Sequence, residues 1–332
     1  MKIGVFTSNG GFLAPVLKAM KKRNHEVLIW PNTTTMALNW INLQRLLDRV
    51  DVAFFEWCQY PFPEAMMIRY PKCKIVLREH GLPFFDTYKV FPWNNVDLFI
   101  GASELFGEKL KELPPDRQPK RYVDIPVGSD PAFFTIPKHK IYGHNLLMHS
   151  AIIRFKKRVY TTLETFYDLL KHDRSWDLHI VGNWSPVLAG PQAPGWEGVQ
   201  YTGPCQELIE DLDLAAKVHL SPHMDVKDWR SCLGAMDLFI SNSIREGVQI
   251  SLIEAMLSGI HPFVHAWRGA EAYYPKECIF KTQRELVDKI IEWGKLDELN
   301  KRALSQSARE WVVERFDNDV LMERLMDELE AL

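Results

Sequence analysis

Residues 238–265 read LFISNSIREGVQISLIEAMLSGIHPFVH. Leu238–Ser241 and His261–His265 are short apolar runs of the kind buried on both faces of a parallel sheet. Between them the apolar residues recur at helical spacing. Laid on a wheel at roughly 100° per residue from Ile250, Leu252, Ile253, Met256 and Leu257 share one arc, and Ser251, Glu254, Ala255 and Ser258 share the other. Glu246 falls in the turn before the helix. The first-turn amides around Val248 to Ser251 lack intrahelical partners and carry the positive end of the dipole, which suits a phosphate. On pattern alone, the segment reads as a surface amphipathic helix closed by Gly259, its glutamates solvated, ahead of a ligand site. A buried pair of carboxylates would require a partner.

The same alternation extends outward. Strands are expected at Lys2–Phe6, Val27–Trp30, Val52–Phe55, Lys74–Leu77 and Leu98–Gly101, with helices near Ala14–Arg23, Ala37–Arg49 and Glu64–Tyr70. Residues 131–143, PAFFTIPKHKIYG, break the pattern with prolines, cations and a glycine and read as a linker. Strands follow at Asn145–His149, Leu178–Val181 and Val218–Leu220, with helices at Val159–His172 and Lys227–Ala235. From Arg284 the chain is helical, with a break around Leu296–Leu299. At 332 residues the chain exceeds the size of one core. The expected class is α/β, with two Rossmann-like, doubly wound parallel-sheet domains, 1–137 and 138–314, facing a central cleft that is the natural ligand site.

Composition narrows the function. A net charge of -3 argues against a general nucleic-acid binder. The 5 cysteines are an odd number, far apart and without a CxxC pair, which fits reduced cytosolic thiols better than disulfides or zinc. The opening MKIGVFTSNGGF reads as a strand entering a glycine turn rather than a signal peptide. No run approaches the ~20 apolar residues of a membrane span. The expected location is therefore cytoplasmic, with any contact at the membrane face peripheral. Lys18, Lys21, Lys22 and Arg23 could touch anionic headgroups, although the end of a helix favours cations anyway. Asp211 and Asp213 have a metal-binding spacing but sit in an acidic helical segment that reads as a solvated face, so no metal site is expected.

Taken together, SNSIREGVQISLIEAMLSGIHPFV resembles the signature of retaining GT-B glycosyltransferases of glycosyltransferase family 4, the glycosyl transferases group 1. The matching positions are Glu246, Gly247, Glu254, Ala255, Met256, Gly259 and Pro262. Asp124–Asp130 with Phe133 or Phe134, Val96–Ser103, His80 after a strand, and Leu178–Gly182 extend the likeness over most of residues 1–315. The chain departs from the family where an Arg usually precedes the diphosphate-binding Lys by five residues: upstream of Lys157 that slot is Ile152, with Arg154 nearby.

The resemblance implies a GT-B fold whose C-terminal helix, 315–332, crosses back to the first domain. It also implies metal-independent transfer of a hexose-type sugar, without a cofactor, from a nucleoside diphosphate sugar, UDP- or GDP-linked, to a hydroxyl of a carbohydrate, glycolipid or other glycoconjugate. The catalytic residues it implies are Glu246 and His80. The donor would be held by Gly10, Gly11, Arg154, Lys157, Gly182, Asn183, Gly247, Val248, Gln249 and Glu254. Trp57, Tyr60 and Phe84, on expected loops at the cleft edge, are acceptor candidates because aromatic faces stack on sugar rings. Two other readings share the pattern: an epimerase or phosphorylase of the same fold, and a non-catalytic sugar-nucleotide binder.

Overall fold

The computed structural model describes residues 1–7, 10–30, 40–59, 61–68, 72–81, 84–85, 88–184 and 196–332. They form two compact units, Met1–Gly128 with Phe316–Leu332, and Ser129–Arg315. The division falls ahead of the expected 137/138, because the proline-rich stretch is packed rather than linker-like. Arg309 donates to Pro131 O at 2.7 Å, to Phe134 O at 2.6 Å and to Leu257 O, and Lys140 Nζ reaches Met236 O at 2.5 Å.

In the first unit β1 (Lys2–Thr7), β2 (Glu26–Ile29), β3 (Val52–Glu56), β4 (Lys74–Glu79), β5 (Leu98–Gly101) and β6 (Tyr122–Asp124) form a parallel sheet in the order β2-β1-β3-β4-β5-β6. Helices α1 (Leu13–Lys22), α2 (Trp40–Leu47), α3 (Phe62–Met66) and α4 (Glu104–Lys111) connect the strands. Strand order reverses between β1 and β3, so the carboxyl ends of these strands open a crevice.

The second unit repeats the scheme. Its strands are β7 (Asn145–Ile152), β8 (Asp177–Asn183), β9 (Val218–Ser221), β10 (Leu238–Ser241), β11 (His261–His265) and β12 (Ile279–Phe280), in the order β12-β11-β10-β7-β8-β9. The helices are α5 (Val159–His172), α6 (Trp196–Asp211), α7 (Val226–Ala235), α8 (Ile250–Leu257), α9 (Ala270–Tyr273), α10 (Gln283–Gly294) and α11 (Glu298–Phe316), and α12 (Asn318–Glu330) ends the chain. Leu238 of β10 pairs with Leu146 of β7 on one side and His261 of β11 on the other, all parallel. The reversal here lies between β7 and β10, where the opening stretch emerges.

One expectation changes. The α8 segment is not a surface amphipathic helix, since Ser251, Leu252, Ile253, Ala255, Met256 and Leu257 are all buried and Glu254 alone of its polar residues keeps partial exposure. Lys18, Lys22 and Arg23 are engaged within their own unit. Leu321, Met322, Leu325, Met326 and Leu329 of α12 join Leu13, Val16, Ala19 and Met20 of α1 in one core. Along the rim Arg23 pairs with Glu323 at 2.7 Å, Asp327 at 2.8 Å and Glu330 at 2.9 Å, Lys22 with Glu323 at 2.5 Å, and Lys18 with Asp319 at 3.8 Å. Carboxylates of α12 thus line the same rim as these three cations. Among the described residues no helix is long and apolar enough to cross a membrane.

Candidate functional site

The loop leaving β10 is fixed residue by residue. Ser241 Oγ donates to Gln249 Oε1 at 2.5 Å. The buried Asn242 amide donates to Thr162 Oγ1 at 3.1 Å and exchanges bonds with Gln283 at 3.1 and 3.2 Å. Ser243 Oγ donates to Glu246 Oε1 at 2.7 Å. Each polar residue of the Ser-Asn-Ser run thus finishes the strand by tying the loop to a different neighbour, as a buried polar group must.

That loop meets the one leaving β7. Ile244 N donates to Lys156 O at 3.0 Å, and Lys157 Nζ bonds Glu246 Oε1. Burial pushes the Glu246 carboxyl up, but Lys157 and then Lys156 outweigh it and hold it below the ordinary range, so it is an anion. Burial pulls the Lys156 ammonium down, Glu246 opposes this, and Lys157, Arg154 and Arg245 add to the depression. Arg154 opens the turn that Lys157 closes, Lys157 N donating to Arg154 O at 3.0 Å. Lys157 and Lys156 act on the one carboxylate, and Arg154 and Arg245 act on Lys156, so basic groups outnumber acidic ones at this switch point, which suits an anionic ligand.

Gln249 caps the approach to α8, its Nε2 donating to His149 O at 3.4 Å and its backbone N to Tyr274 OH at 3.4 Å. Gly247 and Val248, both partly exposed, lead into it. One turn inside α8, Glu254 Oε2 accepts the Trp229 indole N–H at 2.7 Å. Burial lifts this carboxyl to about 7, against the opposing pull of hydrogen bonds from Trp229 and Ser129. The two glutamates of the opening stretch are therefore in opposite electrostatic states. Gly182 is required by packing, because a Cβ there would overlap Ser150 O between β7 and β8. Asn183 ends β8 in register with Ile152.

In the first unit the carboxyl ends of β3 and β4 hold a buried polar cluster. His80 Nε2 lies 2.6 Å from Glu56 Oε1, and Arg78 donates to the same oxygen at 3.3 Å. Burial pushes the Glu56 carboxyl up; Arg78 and then His80 bring it below the ordinary range. Burial pulls His80 down further than Glu56 lifts it. The pair is thus carboxylate and neutral imidazole, with Nε2–H donating and Nδ1 carrying the lone pair. Nδ1 is buried and has no partner among the described residues. Glu79 brackets the loop, accepting Cys58 N at 2.6 Å, His80 N at 3.0 Å and Gly81 N at 2.8 Å. The Trp57 ring packs edge-on to His80 at 4.9 Å, and its φ of 78° is a strained backbone for a tryptophan.

Gly10 and Gly11 are exposed at the turn into α1, and a Cβ on Gly10 would meet nothing within 4 Å, so the turn is open rather than sterically forced. Phe84 is a correction. It is fully buried, with Phe85, Tyr88, Trp93, Phe99 and Phe106 around it, and forms core rather than a sugar-facing surface. Tyr60 lies outside the described residues. Among those described, no group of three or more His, Cys, Asp or Glu could hold a metal ion, and Asp211 and Asp213 are both exposed.

Glu56, Arg78, Glu79, Lys156, Ser243 and Trp229 were not singled out from sequence. One signal was legible: VAFFE and KIVLREH end apolar strands in ionisable groups, which a strand buried on both faces has no other reason to carry. The Trp229 slot reads as an ordinary apolar helix position.

A family model described as glycosyl transferases group 1 matches residues 134–311, more than half of the chain. Solved structures share the fold over the whole length. HepE of Anabaena in complex with UDP and glucose matches with a TM-score of 0.77 at 15% identity, covering 100% of each chain. Sucrose-phosphate synthase of Thermosynechococcus elongatus gives 0.75 at 13%, covering 100% of this chain and 98% of that one. A glycosyltransferase of Rickettsia africae gives 0.74 at 16%, covering 98% and 96%. No curated protein matches in sequence.

Proposed function

The chain belongs to the glycosyl transferases group 1 family, and on that premise we propose that it is a retaining hexosyltransferase that takes its sugar from a nucleoside diphosphate. The donor occupies the switch point of the second unit. Lys157, with Arg154 beside it, offsets the charge of the departing diphosphate, Glu246 contacts the sugar, Gly247 to Gln249 present amides to the phosphates, and Glu254 accepts the ribose hydroxyls. Gly182 and Asn183 close the wall at the end of β8. The observation that carries this reading is the meeting of Lys157 and Glu246, contributed by the loops of β7 and β10, directly before the start of α8. UDP and glucose bound to HepE support UDP as the base-bearing group, with GDP the alternative.

In the first unit, His80 orients the acceptor, with Trp57 packed against it, and the Gly10–Gly11 turn is a donor contact. The acceptor is a hydroxyl of a carbohydrate or glycolipid. No protein nucleophile is assigned. In the same-face course, the bond from C1 to the diphosphate oxygen breaks as the bond from C1 to the acceptor oxygen forms, and the acceptor proton passes to the leaving phosphate. Binding and electrostatic stabilisation are what the protein supplies.

The test is product analysis with UDP- and GDP-hexoses and a panel of sugar acceptors. The reading expects a glycoside whose anomeric configuration equals that of the donor. An inverted product would overturn retention. Conversion of the nucleotide sugar without acceptor, or only with inorganic phosphate, would move the chain to the epimerase or phosphorylase reading.

A further inference from the structure

We propose that Trp229 is a positioning residue of the donor site, its indole N–H holding the Glu254 carboxylate in the orientation that accepts the ribose hydroxyls of a nucleoside diphosphate. The inference rests on the donor-site reading above.

Three elements fix the indole. Asp225 caps α7, accepting Lys227 N and Asp228 N at 2.9 Å each, while its carbonyl takes Trp229 N at 2.8 Å. Trp229 and Leu233, one turn apart, are the buried residues of α7, so the ring is held by the helix's apolar stripe. Beyond it lies the His149 ring on β7, 4.9 Å between centroids. From that seat Nε1 donates to Glu254 Oε2 on α8 at 2.7 Å. Tryptophan fills an apolar slot and still donates a hydrogen bond, a combination no aliphatic side chain offers.

The bond matters because of what surrounds Glu254. Where Glu246 has two lysines, Glu254 has neutral donors only, Trp229 and Ser129, set against burial, and no charged side chain contributes to its shift. His149, the indole's other neighbour, is neutral, burial and then Lys157 and His223 lowering it to about 3. Removing the indole N–H therefore removes one of two groups that favour the anion, and the anion is the form that accepts from two hydroxyls.

Calorimetric titration of UDP and GDP into wild type and Trp229→Phe, between about pH 6 and 9, tests this. The expected result is binding about tenfold weaker in the variant at neutral pH, the loss of one hydrogen bond to a charged group, with the acid limb of the affinity profile displaced upward. The penalty should vanish with 2′,3′-dideoxy-UDP, whose ribose offers Glu254 nothing. In the wild type, independently of any variant, the Trp229 indole N–H resonance should move on adding UDP and stay put on adding the dideoxy form. Equal affinity of variant and wild type at every pH, a penalty that persists with the dideoxy nucleotide, or an indole resonance indifferent to the ribose hydroxyls would each overturn the role of Trp229. A wild type that binds neither UDP nor GDP would instead overturn the donor-site reading.

Discussion

Glu246 and Glu254 sit eight positions apart in one motif and are held by opposite means. Glu246 is stabilised as an anion by lysines, whereas Glu254 is poised near neutrality by burial. Replacing Glu246 with Gln keeps the shape and removes the charge, and turnover should fall about a hundredfold or more, the scale for one preorganised electrostatic group. Steady-state rates with nucleotide affinity measured in parallel check this, since a loss confined to affinity would remove Glu246 from the chemistry. Glu254 makes a separate prediction about stability. Its folded pKa of about 7 lies above the ordinary 4.5, so the unfolded chain releases this proton first and stability is lost as pH rises between the two values. Above pH ~7 the full penalty, on the order of 3 kcal/mol, is present. Glu254→Gln should therefore melt at a higher temperature than wild type above neutrality and converge with it near pH ~4, while binding nucleotide less well, as expected where a site stores strain. A variant less stable than wild type at alkaline pH would show that the carboxylate is not strained.

At the level of elements, the positions of the strands and the glycines were largely readable, because short apolar runs buried on both faces leave little ambiguity. The helix Val159–His172 is observed with its expected ends. The strands β6 and β12 were missed, being three and two residues long at sheet edges, too short for any periodicity. The two-faced burial of α8 was misread from its small residues, which read as a polar arc on a wheel and are in fact close-packed. The loop of Ser241–Ser243 shows why a polar run can follow a core strand. Asn242→Ala should cost about 2 kcal/mol, since it removes a buried amide's bonds to Thr162 on α5 and Gln283 on α10 and leaves Gln283 Nε2 without that acceptor. Gly182→Ala should cost at least as much, because β7 and β8 cannot separate to admit a Cβ. Denaturant titration of both variants checks these figures.

Across the whole molecule, the chain's last helix completes the core of the unit that begins it. A truncation ending at Arg315 removes five buried apolar side chains of α12 from contact with α1 and the first sheet. At roughly 2 kcal/mol each, about 10 kcal/mol is lost, comparable to the whole stability of a domain. The first unit should then be unfolded by hydrogen exchange while the second keeps its protection. Periodicity says which face of a helix is buried and not against what, so the pattern alone left the destination of the last helix open, and only the family resemblance implied that 315–332 returns to the first domain. The central claim is that the switch point of the second unit binds a nucleoside diphosphate. A thermal-shift panel of UDP, GDP, ADP and their sugars on wild type and Lys157→Ala tests it most directly, since a ligand of the native state raises stability by mass action. UDP or GDP should raise the melting temperature of the wild type, and Lys157→Ala should abolish most of the rise. No shift with any nucleotide, or a shift undiminished in the variant, would contradict the central claim.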